Sequence, residues 1–431
     1  MERTVQVSAL VHRRLWYLLL LLATALATAP AAAARGDDEF AAIDGHALAA
    51  PASATTSIPA LAAYLAGPAG DDRERARAIF RWITDNIAYD PALRDHVSGP
   101  ETVLKYRRAV CSGYSALFRA LAEAAGLEAE VIHGHSKGAG YQAGRGMEES
   151  FEHAWNAVRI GDKWGLVDCA WGAGWLDGGG RFVPRFTSHY FLTPPEIFVD
   201  DHFPQDARWQ LLDRPISREE YFRRVQRRSA FFEHGLHLVS RDSARIETDS
   251  SVSVVIGAPE ETILTACLFR NGRELDTRYT FTQREPEGFM IRALLPERGD
   301  YLLRVYAAEK SLPDGGLDWA LEYAIRSSGG TSEGEFPKTY GAFLVRNCHL
   351  EMPLLGVLRA HTAVSFSITV PGAEDVVVMS DRAAKRLSAR GNCRFAGDVP
   401  VGEADVLVLA RFSDGRRYEG LLGYKAAVKR R

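Results

Sequence analysis

HAWNAVRIGDKWGLVDCAWGAGW, residues 153–175, holds two β-like runs joined by Gly161-Asp162, a pair that favours a tight hairpin. With those two residues as the loop, Ile160 faces Lys163 and the ladder sets Trp155 opposite Asp168. Side chains alternate along a strand, so His153 shares the face of Trp155 and is the diagonal neighbour of Asp168. Diagonal neighbours sit roughly 7–8 Å apart, within reach for a carboxylate to bond a histidine ring. Such a bond fixes the tautomer and steadies the protonated ring, leaving its other nitrogen for a nucleophile. A lone histidine on a strand is ordinarily a satisfied surface or core residue. The shared face with Asp168 is what singles this one out.

Working upstream, RRAVCSGYSALFRALAEAAG, residues 107–126, supplies a nucleophile. Tyr114, Leu117, Phe118, Leu121 and Ala125 recur at helical spacing, and Gly126 stands where a left-handed residue ends a helix. Cys111 then falls at the helix N-terminus, where unpaired N–H groups and the macrodipole favour a thiolate. Arg107 and Arg108 push the same way if they face the site. A small buried cysteine at a helix start is about as common, so the feature gains meaning only beside the hairpin.

The order Cys111, His153 forty-two residues on and Asp168 fifteen later resembles the transglutaminase-like superfamily. VCSGYSALFRALAEAAGLEAEVIHGHSKG looks like its nucleophile helix and following strand, and HAWNAV and WGLVD like its His and Asp strands. YFLTPPEIFVDDHFPQDARWQLL, residues 190–212, is similar to the kyphoscoliosis-peptidase branch, as is the β-rich sequence behind it. The resemblance spans residues 60–430 and is densest over 75–215. It implies a papain-like core with Cys111 as nucleophile, His153 as general base and acid, and Asp168 as orienting carboxylate. The implied chemistry is acyl transfer on an amide of a protein or peptide, ending in hydrolysis or amine cross-linking, without cofactor or metal. One departure is Cys169, where this branch more often has a hydroxyl or apolar residue; alternation puts it on the opposite face, as packing. The N–H of Cys111 is one oxyanion donor, and Asn86 or Tyr89 in TDNIAYD is a candidate for the second.

The chain of 431 residues is too long for one core. Its formal net charge of −3 gives no reason to expect a nucleic-acid partner. Arg3, Arg13 and Arg14 precede the fifteen-residue apolar run Leu15 to Ala29 and a small-residue tail. That is the pattern of a cleaved signal peptide, and the run is shorter than the roughly 20 residues of a span. The protein is therefore expected to be secreted, periplasmic or at the cell surface, with no stable membrane span after cleavage. Export permits disulfides; with five cysteines at least one stays unpaired, and Cys348 with Cys393 is the expected pair.

Beyond residue 240 the texture becomes β: SVSVVIG, TILTACLF and YLLRVYA, then AVSFSITV, EDVVVMS and ADVLVLARF. PERGDYLLRVYA (296–307) and PVGEADVLVLA (400–410) read as one hairpin in two copies. Before them, ISREEYFRRVQRRSAFFE opens on Ser217 and Glu220 at capping-box spacing and predicts a connecting helix. The expected fold class is α+β, a papain-like, transglutaminase-like core domain followed by two β-sandwich, immunoglobulin-like domains. Expected bounds are 1–34 signal peptide, 35–215 catalytic domain, 216–240 linker helix, 241–330 first sandwich and 331–431 second sandwich.

Other residues weigh less. His133 and His135 fall short of a tetrahedral metal set and suit a strand end. Trp155, Trp164, Trp171 and Trp175 suit either a substrate cleft or a core. Asp200, Asp201 and Asp206 suit a turn better than a calcium site, and Gly178 to Gly180 lacks the lysine of a phosphate loop. Two readings from other classes stand beside the enzyme. One is an inactive scaffold binding a cell-surface or cell-wall protein through its sandwiches. The other is a zinc deaminase, discouraged by the lack of any CxxC.

Overall fold

The computed structural model describes residues 39–428 except 95, 97, 139–140, 145–150, 312–315, 332–333, 414 and 416. The basic and apolar N-terminal pattern lies outside the described residues. Among those described, no helix is long and apolar enough to cross a membrane.

Five helices build one half of the first domain: α1 (Ala41–Leu48), α2 (Ile58–Ala66), α3 (Asp72–Asn86), α4 (Pro100–Tyr106) and α5 (Cys111–Ala124). Asp71 caps α3 by accepting from the Glu74 N–H at 2.8 Å, and the acidic Asp72 and Glu74 occupy its first turn. The α5 stripe read from spacing is buried at Tyr114, Leu117, Phe118 and Leu121, and Gly126 ends the helix at φ +81. Gly113 lets α5 approach its neighbours, because a Cβ there would lie 2.7 Å from Ala109 Cβ.

The other half is a five-stranded antiparallel sheet. Its strands are β1 (Ala129–Ser136), β2 (Phe151–Ile160), β3 (Lys163–Val167), β4 (Phe191–Thr193) and β5 (His202–Pro204), in the order β4-β3-β2-β1-β5. The β2–β3 register is the one read from the hairpin: Ile160 faces Lys163 and Asn156 faces Val167, with Gly161 at φ +56 in the turn. Helix α5 lies against β2, where Asn156 Nδ2 donates to Ser115 O at 3.0 Å.

The helix expected over 216–240 does not form as one element. Ser217 caps α6 (Arg218–Arg223) as its spacing predicts, accepting from the Glu220 N–H at 3.1 Å, but the chain leaves helical geometry at Arg224, ψ 139. Gln226–Arg227 then joins the sheet edge opposite Leu321–Glu322, so β-ladder bonds win over the helical pattern. A short helix, α7 (Ser229–Glu233), and a strand at His237–Leu238 follow.

These pieces make sense against the second sandwich, which repeats them at Lys338–Thr339, Gly341–Val345 and His349–Met352. Both modules pair a six-stranded with a four-stranded sheet in matching strand order. The hairpin copies read from sequence fall on corresponding strands, Gly299–Glu309 and Val406–Phe412. In the first sandwich Asn271-Gly272 makes a tight turn, with Arg270 opposite Arg273. The expected Cys348–Cys393 bridge is absent: all five cysteines are free, Cys348 buried and Cys393 exposed in a tight turn at φ 59. Cys348 instead fills the core of the second sandwich.

The first domain locks onto the first sandwich through Lys137. Its side chain is fully buried, and Nζ donates to Tyr221 O at 2.7 Å and Arg224 O at 3.0 Å, the carbonyls at the end of α6. Burial pushes this lysine down to about 7, against the opposing pull of Asp200 and Asp201. A lysine so depressed has shed its proton in the folded chain while the unfolded chain keeps it, from about pH 7 to the ordinary lysine value. Stability of the wild type relative to Lys137→Met is expected to rise across that window by on the order of a few kcal/mol. Urea midpoints of both proteins, taken at each end of it, check the sign; a constant difference would refute it.

Candidate active site

Helix α5 begins at Cys111, with Val110 in extended geometry as its cap residue. The half-buried sulfur lies among the groups that set its charge. Burial works to keep the thiol neutral, but the hydrogen bond and charge of His153 and the N–H of Ala154 outweigh it and lower the thiol below its usual range. His153 is the residue before Ala154 on β2, so one strand end supplies both the imidazole and a backbone donor.

On its other side, His153 Nε2–H donates to Asp168 Oδ2 at 2.6 Å. Burial disfavours the imidazolium, yet the charge and hydrogen bond of Asp168, and then the sulfur, raise His153 to about 10. Asp168 sits just past β3, as cap of the five-residue helix Cys169–Ala173; its Oδ1 accepts from the N–H groups of Ala170 and Trp171 at 2.8 and 3.0 Å. Burial favours its neutral acid. The charge and hydrogen bond of His153, followed by His202, overcome this and hold the carboxyl well below the usual carboxylate range. The structure thus brings together Cys111, His153 and Asp168, the three residues singled out in the sequence.

The surrounding expectations divide. Cys169 is buried in the helical core and unbridged, its thiol pushed up by burial and then by Asp168. Arg107 and Arg108 do not serve the thiolate: Arg107 lies over the Trp82 ring at 4.4 Å, and Arg108 reaches Asp90 at 3.4 Å. Asn86 spends its amide on Trp82 O at 3.0 Å, the end of its own helix. Tyr89 is the candidate that lies by the site: burial, then the Cys111 charge, push its phenol up to about 12. A neutral hydroxyl held there suits a developing oxyanion. Trp171 packs 5.3 Å from the His153 ring, Trp155 is buried beneath it, and Trp175 is exposed.

His202 was missed. Its Nε2 lies 3.0 Å from Asp168 Oδ2 and its Nδ1 2.6 Å from Asp201 Oδ1, all of it buried. The sheet register brings it there: His202 faces Ser136 on β1, two residues from Gly134, which faces His153. Nothing local in DDHFPQD announces this, since the contact needs strand order. The three acids of that stretch have separate duties: Asp200 meets Arg227, Asp201 holds His202, and Asp206 caps a short turn by accepting from Arg208 N–H. They form no calcium set. Among the described residues, His153, Asp168 and His202 are the one cluster able to offer three metal ligands. Asp168 Oδ2 already accepts from both rings and Asp201 takes the last His202 nitrogen, so the donors are spent on sharing protons.

Comparisons with known proteins agree with this architecture. Residues 59–169 match the transglutaminase-like superfamily model, and residues 218–338 match the KY-like, immunoglobulin-like domain. Human kyphoscoliosis peptidase is 31% identical over 265 residues, covering 60% of this chain and 39% of that protein. Hillarin of Drosophila melanogaster is 34% identical over 247 residues, 53% of this chain and 30% of its own length. This chain therefore spans between 30% and 39% of those two relatives. A putative cysteine protease from Cytophaga hutchinsonii aligns at 20% identity and a TM-score of 0.23, over 31% of this chain and 43% of its own. The chain carries a transglutaminase-like superfamily domain followed by a KY-like, immunoglobulin-like domain, on an α+β core and tandem β-sandwiches.

Proposed function

We propose that this is an exported thiol enzyme that performs acyl transfer on protein or peptide amides, with water as the preferred acceptor. The observation that carries the reading is the Cys111 sulfur beside His153, whose ring is bonded to Asp168 at 2.6 Å. In this scheme the thiolate attacks the amide carbon, and the N–H of Cys111 with the Tyr89 hydroxyl receives the charge on oxygen. The His153 imidazolium then gives its proton to the departing amine, leaving a thioester on Cys111. Neutral His153 next takes a proton from water as it attacks the thioester, releasing the acid and restoring the thiol pair. A primary amine in place of that water would give a cross-link. The name kyphoscoliosis peptidase, borne by two relatives, favours hydrolysis. The immunoglobulin-like modules suit binding to a cell-surface or cell-wall protein, and the N-terminal basic and apolar pattern supports export.

Iodoacetamide at about pH 6 tests the site without a known substrate. Cys111 is expected to be alkylated at least about tenfold faster than the exposed Cys393, because the thiolate is the form that reacts. Peptide mass spectrometry after timed quenching reads both sites in one sample. Alkylation of Cys111 no faster than Cys393 would remove the enzyme and leave a scaffold whose papain-like domain is inert.

A further inference from the structure

His202 takes no part in the bond changes above, yet it is among the most enclosed polar groups in the protein. Both ring nitrogens face carboxylate oxygens, Asp168 Oδ2 at 3.0 Å and Asp201 Oδ1 at 2.6 Å. A neutral imidazole has one N–H and one lone pair, and the lone pair would then point at an anionic oxygen. Two N–H groups satisfy both contacts. Aromatic rings also enclose it: Phe198 is stacked at 4.1 Å between centroids, Trp171 is tilted at 4.6 Å, and Trp155 and Tyr190 meet it edge-to-face at 5.0 and 5.9 Å. A stacked ring face within about 6 Å favours a cation. Charge balance points the same way. The thiolate, Asp168 and Asp201 bring three negative charges into one buried region, and His153 with the Arg228 guanidinium, which acts on Asp201, supplies two positive ones; a third balances them.

We propose that His202 is a resident imidazolium, a fixed positive charge that orients Asp168 and sets the pH range over which the Cys111–His153 pair is ionised. The proposal rests on the thiol-enzyme reading only for that second clause. The titratable groups around His202 are few. His153 lies 5.3 Å away by ring centroids, Asp168 and Asp201 accept its protons, and Tyr190 donates to Asp201 Oδ2 at 3.1 Å. His189, from the turn before β4, repels it weakly and is itself kept neutral chiefly by burial. Burial opposes the His202 cation; the charge of Asp201 and the bonds to Asp168 and Asp201 prevail and raise it. Its role is positioning, since it touches neither the sulfur nor the reacting amide.

The test has two arms on the full chain. In the first, the alkylation rate of Cys111 is followed against pH in the wild type and in His202→Gln. Removing a nearby positive charge makes each neighbouring deprotonation harder, so both pH midpoints of the pair are expected to move upward. The His153 limb should move more, by about two pH units, for charges 5–6 Å apart in a partly polarisable interior. Unmoved midpoints in a folded variant would overturn the electrostatic role. In the second arm, nitrogen NMR of labelled histidine reads the wild type directly. Both His202 ring nitrogens are expected to stay protonated from about pH 5 to 8, where a free histidine loses its charge. A bare ring nitrogen in that range, with the proton on Asp201 instead, would overturn the proposal whether or not the variant folds. Sluggish Cys111 in the wild type would sink the enzyme reading while leaving this second measurement decisive for His202.

Discussion

Cys111→Ala is expected to lower amide turnover by at least about 10⁴-fold, because removing a triad nucleophile costs as much as removing the triad. The assay is a panel: a casein digest read by new amino termini, ammonia release from a glutamine peptide, and incorporation of a dansyl-amine. In the proposed scheme the three readouts divide one thioester between water and amine, so they would share a dependence on the sulfur. The substitution leaves α5 intact, since alanine is a strong helix former and the sulfur is only half buried. Its melting temperature should stay within about 2 °C of the wild type, as for a change worth less than about 0.5 kcal/mol. Turnover that survived in Cys111→Ala on every substrate would place the chemistry elsewhere.

Asp168→Ala should be harsher on the fold. Asp168 accepts four hydrogen bonds, from His153, His202 and the N–H groups of Ala170 and Trp171. Alanine strands two buried rings and uncaps a helix; breaking a buried pair costs about 3–5 kcal/mol and a lost cap about 1 kcal/mol. Asp168→Asn separates chemistry from folding. The amide oxygen can still accept from the cap N–H groups, so much of the stability should return. Its NH₂ then faces His153 and imposes the wrong tautomer, so turnover should remain down by about 10⁴-fold. The stability gap is expected to depend on pH. A carboxyl held below its unfolded value contributes its full stability above the ordinary aspartate range, and the contribution fades as pH falls toward the folded value. The wild type and Asp168→Asn should therefore converge in acid. Urea midpoints at neutral pH and at about pH 3 measure this; a gap that widened in acid would refute the assignment of the anion.

Much of the site was legible because its parts are local. The Gly161-Asp162 loop fixes the β2–β3 register, and parity alone then sets His153 beside Asp168. Cys111 was found by the α5 stripe, which needs no knowledge of the rest of the fold. His202 was hidden because its partners arrive through β1 and β5, strands sixty-six residues apart at Ser136 and His202. The connecting helix failed for a related reason. Ser217 gives a true cap and the first turns are helical, but Gln226 and Arg227 find a sheet edge at Glu322 and Leu321, ninety-six and ninety-four residues away. A capping pattern records what a segment prefers alone; a ladder with a distant strand outweighs it. Cys348 and Cys393 share a β-rich region, yet one is packed inside the core and the other stands in a turn, which neighbourhood in sequence does not resolve.

The short run Asp200–His202 joins two things usually kept apart. Asp200 answers Arg224 and Arg227 of the following module, Asp201 receives the Tyr221 hydroxyl on its backbone oxygen, and His202 braces the Asp168 carboxylate. Severing the chain before residue 216 would take both arginine partners from Asp200, two positions from the brace. The first domain of this molecule is thus no cassette: its neighbour's arginines are part of the scaffolding around the Cys111, His153 and Asp168 cluster.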